Sequence, residues 1–256
     1  MRFIGQHHIM NQLKFLLPDL DRNKHKGANF LLKGPSGFGK TLMAHNMCRF
    51  LARDSYQFFL AETREFNFVK RVVFIDEIHK VSDLERFYPL MDEKNHVFVF
   101  ATNHDAVLPE AFVNRTYEFI FDDYSEEELQ LIARESCQFS ATDKQISDII
   151  IAGNGNPRII ESICERLWIY FSENKISVTE GMSFSAVISE IFRINNGLDT
   201  LCIRYIDTLK SLGGVASFNL IKTVLHTDED SIKNTVEPLL MKKGIIRITS
   251  KGRSLV

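Results

Sequence analysis

The sequence predicts an α/β protein in three parts: a parallel-sheet domain over 1–122, a small helical domain over 123–195, and a domain of helices and two short strands over 196–256. Three observations carry this. A glycine-rich turn sits between an apolar strand and an amphipathic helix; a second apolar run ends in two adjacent acidic residues; and after residue 122 β-branched runs give way to helical spacing.

With 256 residues, 45% hydrophobic and 25% charged, the chain has ordinary globular composition. Its first residues, MRFIGQHHIM, lack the order of a signal peptide, and no apolar run approaches the ~20 residues that span a bilayer. A cytoplasmic protein without membrane contact is expected. Cys48, Cys137, Cys164 and Cys202 lie far apart in sequence without a CxxC pair, which argues against zinc and against a disulfide framework. A formal net charge of −2 excludes a coat of positive charge, so any nucleic-acid contact must come from local patches or from repetition in an oligomer. One patch stands out: residues 241–256 carry Lys242, Lys243, Arg247, Lys251 and Arg253 without a carboxylate.

The first strand is centred on Phe30 to Leu32, and the helix after it has apolar residues at Leu42, Met43, Met47, Phe50 and Leu51. Between them, Gly34, Pro35, Ser36, Gly37, Phe38, Gly39, Lys40 and Thr41 fit G-x-x-x-x-G-K-[ST]. The glycines permit positive φ, so that successive N–H groups point at phosphate oxygens, and the helix opening at Leu42 aims its positive end at the same anion. Lys40 reaches the β and γ phosphates of ATP, and the Thr41 hydroxyl is a ligand for Mg²⁺.

The β-branched run Val72 to Ile75 lacks alternation, as a strand covered on both faces requires, and it ends in Asp76 and Glu77. Asp76 is placed to hold Mg²⁺ through water; Glu77 is placed to orient the attacking water or take its proton. A third strand in HVFVFATNH ends at Asn103, whose amide suits sensing of the γ-phosphate, since ligands of open parallel sheets bind at the carboxyl ends of strands. YQFFLA at 56–61 and YEFIFDD at 117–123 supply the remaining strands. In the helical part, Ser125 with Glu128 and Thr142 with Gln145 read as capping boxes, and Pro157 opens a helix with Ile160, Ile163, Leu167 and Phe171 on one face.

The order of these parts resembles the AAA+ ATPases, and in detail the RuvB family of Holliday-junction branch-migration motors. FIGQ from Phe3 to Gln6 is similar to that family's adenine-side motif, placing Ile4 at the nucleotide. FIDEIHK is similar to its acidic box, LPEAFVNRTYEF to its arginine-finger segment, and GNPRII to its second sensor. The resemblance implies an AAA+ P-loop domain, a helical lid and a C-terminal winged-helix domain. It further implies that Arg115 is a finger reaching a neighbour's γ-phosphate in a hexameric ring, and that Pro157 and Arg158 form the sensor that clamps the phosphates from the lid. Both roles suit a permanently charged, forked guanidinium.

The segment from residue 198 to the end then reads as three helices and a two-stranded wing, with Ile232, Val236, Leu239 and Leu240 repeating at helical spacing and Gly244 closing the third helix. Pro238 predicts a kink or break there. Lys251 and Arg253 at the turn of the wing, with Arg247 and Lys243, are the candidate contacts to DNA phosphates, binding duplex or branched DNA without reading its sequence.

Three features depart from the family. The chain passes from the acidic box to the next strand without the family's partner-docking β-hairpin, which speaks against a RuvA-like partner. The span from Thr41 to Val72 leaves little room for pore-facing elements, and the chain opens at the FIGQ motif. The resemblance makes a DNA motor the leading expectation, and the departures favour the alternative modestly. An ATP-dependent loader or adaptor that places a helicase, clamp or polymerase on DNA, with a replication protein as partner, is the alternative; an ATP-switched winged-helix regulator is a third.

Overall fold

The computed structural model describes residues 3–63, 65–103, 107–250 and 252–256. Packing divides the chain into two units, Met1–Ser140 with Gly155–Asn174, and Ala141–Asn154 with Lys175–Val256.

The first unit is built on five parallel strands. In chain order these are α1 (His7–Arg22), β1 (Ala28–Lys33), α2 (Lys40–Ala52), β2 (Gln57–Leu60), β3 (Val72–Asp76), α3 (Tyr88–Glu93), β4 (Val97–Thr102), α4 (Glu110–Val113) and β5 (Tyr117–Ile120). The strands lie side by side as β2-β3-β4-β1-β5. Every pair is parallel, with Phe30 opposite both Val99 and Tyr117. Parallel pairing requires crossovers that cover both faces, which explains why β1, β3 and β4 are apolar without alternation. One face buries Phe30, Leu32 and Phe74 under α1 and α2 through Leu13, Met43 and Met47. The other buries Leu31, Ile75, Phe98 and Phe100 against Phe87 and Phe112. Between β3 and β4 the chain forms two single 3₁₀ turns and α3 and no strand.

Two further helices belong to this unit, α5 (Glu126–Ser136) and, after α6 (Asp143–Gly153), α7 (Pro157–Glu173). The capping box of Ser125 and Glu128 opens α5, and Pro157 stands in the first turn of α7. Cys137, which caps the end of α5, and Cys164 on α7 are far apart in sequence, yet their sulfurs lie 3.4 Å apart as free thiols.

The second unit contains α6, α8 (Phe184–Phe192), α9 (Thr200–Ser211), β6 (Val215–Ala216), α10 (Phe218–Leu225), α11 (Glu229–Ser231), a π-helical turn at Ile232–Val236, α12 (Glu237–Lys242), β7 (Ile246–Thr249) and β8 (Gly252–Leu255). The two units cut across the span 123–195: α5 and α7 group with the sheet, whereas α6 and α8 group with the C-terminal helices. β6, β8 and β7 form an antiparallel sheet in that order. Tyr205, Ile221, Leu225, Ile232, Val236 and Leu240 make its core. The kink expected at Pro238 takes the form of the π-helical turn immediately before it, a widening that accommodates the missing N–H and relieves the ring's clash with the preceding turn. Sequence spacing passes over β6, which is two residues long, and α8. Among the described residues, no helix is long and apolar enough to cross a membrane.

Candidate nucleotide site and nucleic-acid face

The site forms where the carboxyl ends of β1, β3 and β4 meet. Lys33 pairs with Thr102 and Ile75 pairs with Phe100, so the phosphate loop, the acidic pair and Asn103 emerge at one edge of the sheet. The loop needs its glycines for two reasons: Gly37 and Gly39 have φ of 84° and 89°, and a Cβ would come within 2.3 Å of Asn156 Oδ1 at the first and 2.8 Å of Phe3 at the second.

Lys40 is nearly buried, donating to the Gly34 carbonyl at 2.7 Å and the Pro35 carbonyl at 2.8 Å. Burial depresses its pKa, and the Arg158 guanidinium adds to that, whereas Glu77 and Asp76 oppose it. The Thr41 hydroxyl donates to Asp76 Oδ2 at 3.0 Å. This hydroxyl–carboxylate pair is a hard-oxygen set suited to Mg²⁺. Asp76 Oδ1 accepts the Glu77 N–H at 2.9 Å. Glu77 adopts φ 54°, a left-handed conformation rare outside glycine. Its Oε2 lies 3.5 Å from the Asn103 amide nitrogen, and the Asn103 carbonyl oxygen is buried without a partner.

A cavity of about 440 Å³ adjoins the loop, bringing together the predicted Ile4, Gly37, Gly39, Thr41, Leu42, Pro157 and Arg158. Gly34, Pro35, Ser36, Phe38 and Lys40 do not line it; they build the loop behind. Phe3, which opens the FIGQ motif, lines it as well; sequence reasoning misses Tyr124, Ile132, Glu135, Ser136 and Glu161, which form the remaining walls. Tyr124 donates to the Phe38 carbonyl at 2.9 Å, and burial pushes its phenol up to about 12. Gln6 explains the FIGQ motif: its side chain donates to the Asp122 carbonyl at 2.7 Å and accepts the Asp122 N–H at 3.0 Å, fixing Phe3 and Ile4 beside the strand end. Asn156 is also missed, although it joins the Ser36 carbonyl at 2.9 Å to the first turn of α7, where Arg158 begins. Its signal is the side-chain cap that precedes Pro157.

Arg115 lies elsewhere. It precedes β5 at the amino edge of the sheet, opposite the phosphate loop, where it pairs with Asp92 at 3.0 Å, donates to the Ala111 carbonyl at 2.7 Å and covers the Tyr88 ring at 4.6 Å. It therefore cannot serve the phosphate loop of its own chain.

The phosphate loop and acidic pair identify the chemistry; the family follows from comparison over the whole length. Residues 30–124 match the model of the ATPase family associated with various cellular activities (AAA), and residues 195–256 match that of the RuvB C-terminal winged helix domain. The chain is a RuvB-like AAA+ ATPase. Similar relatives include the Holliday junction branch migration complex subunit RuvB of Mycoplasma pneumoniae, 26% identical over 98% of this chain and 92% of the relative. That of Anaplasma phagocytophilum is 24% identical over 99% and 88%. The Thermotoga maritima RuvB Holliday junction branch migration motor shares the fold, with TM-score 0.79 and 21% identity over 99% of this chain and 93% of that one. A variant of the same motor matches at TM-score 0.82 and 23% identity, covering the same shares. This RuvB-like protein is thus an ATPase with an AAA+ domain and a winged helix.

In the winged helix the candidate cations differ in their surroundings. Arg253 is not a free cation at the wing: its guanidinium forms a two-pronged ion pair with Glu237, at 2.8 and 3.1 Å, and stacks over Phe218 at 4.7 Å. Glu237 is nearly buried and also accepts the Tyr205 hydroxyl at 2.8 Å. A carboxylate in an apolar core demands such partners, so Arg253 has a structural role in the fold. Lys243 is exposed and donates to the Asn196 carbonyl at 3.0 Å, while Arg247 is exposed on β7. Lys251 lies outside the described residues.

Proposed function

We propose that this RuvB-like chain couples ATP hydrolysis to remodelling of, or movement along, duplex or branched DNA in the cytoplasm, as a ring of identical subunits. The observation that carries the reading is a complete hydrolytic edge and a winged helix on one chain: Lys40, Thr41, Asp76, Glu77 and Asn103 gathered at the strand ends, with a domain matching the RuvB winged helix after them. The curated relatives are named for Holliday junction branch migration, which points to branched DNA.

Thr41 and Asp76 would hold Mg²⁺, which supplies charge to offset the phosphates. Lys40 would exchange its two carbonyls for phosphate oxygens. Glu77 would orient the attacking water and receive its proton, and Asn103 would hold that water from the other side through its unpartnered carbonyl oxygen. Arg158, on the cavity wall, would neutralise charge as the bond breaks. Arg115 would act in the neighbouring subunit's site, releasing Asp92 as it does so. In this reading residues 1–122 are the motor core, 123–195 the lid and 196–256 the DNA-binding domain, with Arg247, Lys243 and Lys251 contacting phosphates.

The absence of a strand between β3 and β4 favours a second reading, since the partner-docking hairpin would stand there. A loader or adaptor would hydrolyse slowly and capture a replication protein in stoichiometric amounts. Mixing Glu77→Gln with Arg115→Ala subunits tests the ring. Each variant alone should be inactive, and mixed assemblies should recover hydrolysis at interfaces where an intact Glu77 meets an intact Arg115. No recovery in demonstrably mixed rings would remove Arg115 from the role.

A further inference from the structure

Glu77 is held by a residue that the phosphate chemistry does not require. The turn after β3 is anchored by the fully buried Ile78, which presents His79 back toward the strand ends. His79 Nε2 lies 3.4 Å from Glu77 Oε2, and its Nδ1 lies 3.0 Å from Thr102 Oγ1. Thr102 is fully buried on β4, and its carbonyl accepts the N–H of Gly34, the first residue of the phosphate loop, at 3.3 Å. Phosphate loop, sensor strand and base are thus joined through one imidazole.

We propose that His79 is a positioning residue for hydrolysis, aiming the Glu77 carboxylate and tying that aim to the phosphate loop through Thr102. The inference rests on Glu77 acting as the base. In the tautomer in which Nδ1 accepts from the Thr102 hydroxyl, Nε2 carries the N–H and offers it to Glu77. The Asn103 amide approaches the same oxygen, Oε2, at 3.5 Å. Oε1 is then the oxygen directed at water. Both approaches are longer than the ~2.9 Å of a closed N–H···O bond, so the carboxylate is guided rather than locked and tightens when the site closes.

Steady-state ATP hydrolysis by the full-length chain tests this. His79→Ala should lower kcat about tenfold, part of the ~100-fold attributed to a positioned base, with KM within about twofold. His79→Gln, whose amide N–H replaces Nε2–H, should stay within about threefold of the parent. Thr102→Val should lower kcat in the parent but add nothing to His79→Ala, because the two act through one contact chain. A His79→Ala kcat equal to the parent's, a loss confined to KM, a Gln variant as slow as Ala, or additive effects of Thr102→Val would each overturn the proposal. If His79→Ala fails to fold, the kcat of His79→Gln and Thr102→Val decide. Glu77→Gln separates the two levels: if it still hydrolyses ATP the reading of Glu77 falls, whereas if it is inactive while His79→Ala is normal, the role of His79 alone falls.

Discussion

The phosphate loop and the wing both present cations in suggestive patterns, and the structure treats them differently. At the loop, Lys40 is buried but its partners are two backbone carbonyls, neutral groups that a phosphate readily displaces. At the wing, Arg253 meets Glu237, a nearly buried carboxylate that has Tyr205 as its other partner. A cation opposite neutral carbonyls is poised for a ligand. One opposite a buried carboxylate is part of the core, because leaving that carboxylate alone costs several kcal/mol.

The largest effect should come at the loop. Lys40→Ala or Glu77→Gln should reduce ATP hydrolysis by at least about 100-fold without lowering the melting temperature, as measured by phosphate release and calorimetry. At the wing the balance should reverse. Arg253→Ala should destabilise the C-terminal unit by about 3 kcal/mol in denaturant titration and leave basal hydrolysis in the remaining folded protein unchanged. Replacing the pair with Arg253→Met and Glu237→Leu should recover most of that stability, because two apolar groups leave no charge unpaired. If Arg253→Ala instead folds normally and loses DNA, Arg253 is a DNA contact and not part of the core.

Legibility in the sequence follows the same line. Strand runs such as Val72 to Ile75, the capping boxes at Ser125 and Thr142, and the loop from Gly34 to Thr41 are local, so short spacings reveal them. The cavity walls are not local. Phe3, Tyr124 and Glu161 meet only after α7 returns beside the loop, and no spacing links residues that distant. Glu237 shows a second kind of limit: the π-helical turn before it carries both Val236 and Glu237 to the buried face, a register that regular helical spacing does not anticipate. Cys137 and Cys164 came together for the first reason, across two helices.

Smaller effects are expected at Tyr124 and Arg247. Tyr124→Phe removes the hydrogen bond to the Phe38 carbonyl and should weaken ATP binding about fivefold, the equivalent of ~1 kcal/mol, measured by titration calorimetry. Arg247→Ala should weaken duplex binding only about threefold and reduce the slope of log affinity against log salt by about one per chain, since an exposed phosphate contact contributes little by itself.

Coupling of hydrolysis at Glu77 to DNA has one direct readout. Steady-state ATP hydrolysis should therefore be measured with no DNA, with linear duplex and with a four-way junction, for the parent chain and for Glu77→Gln. The rate should rise with DNA and be lost in Glu77→Gln under every condition. A parent rate indifferent to all three conditions would rule out that coupling.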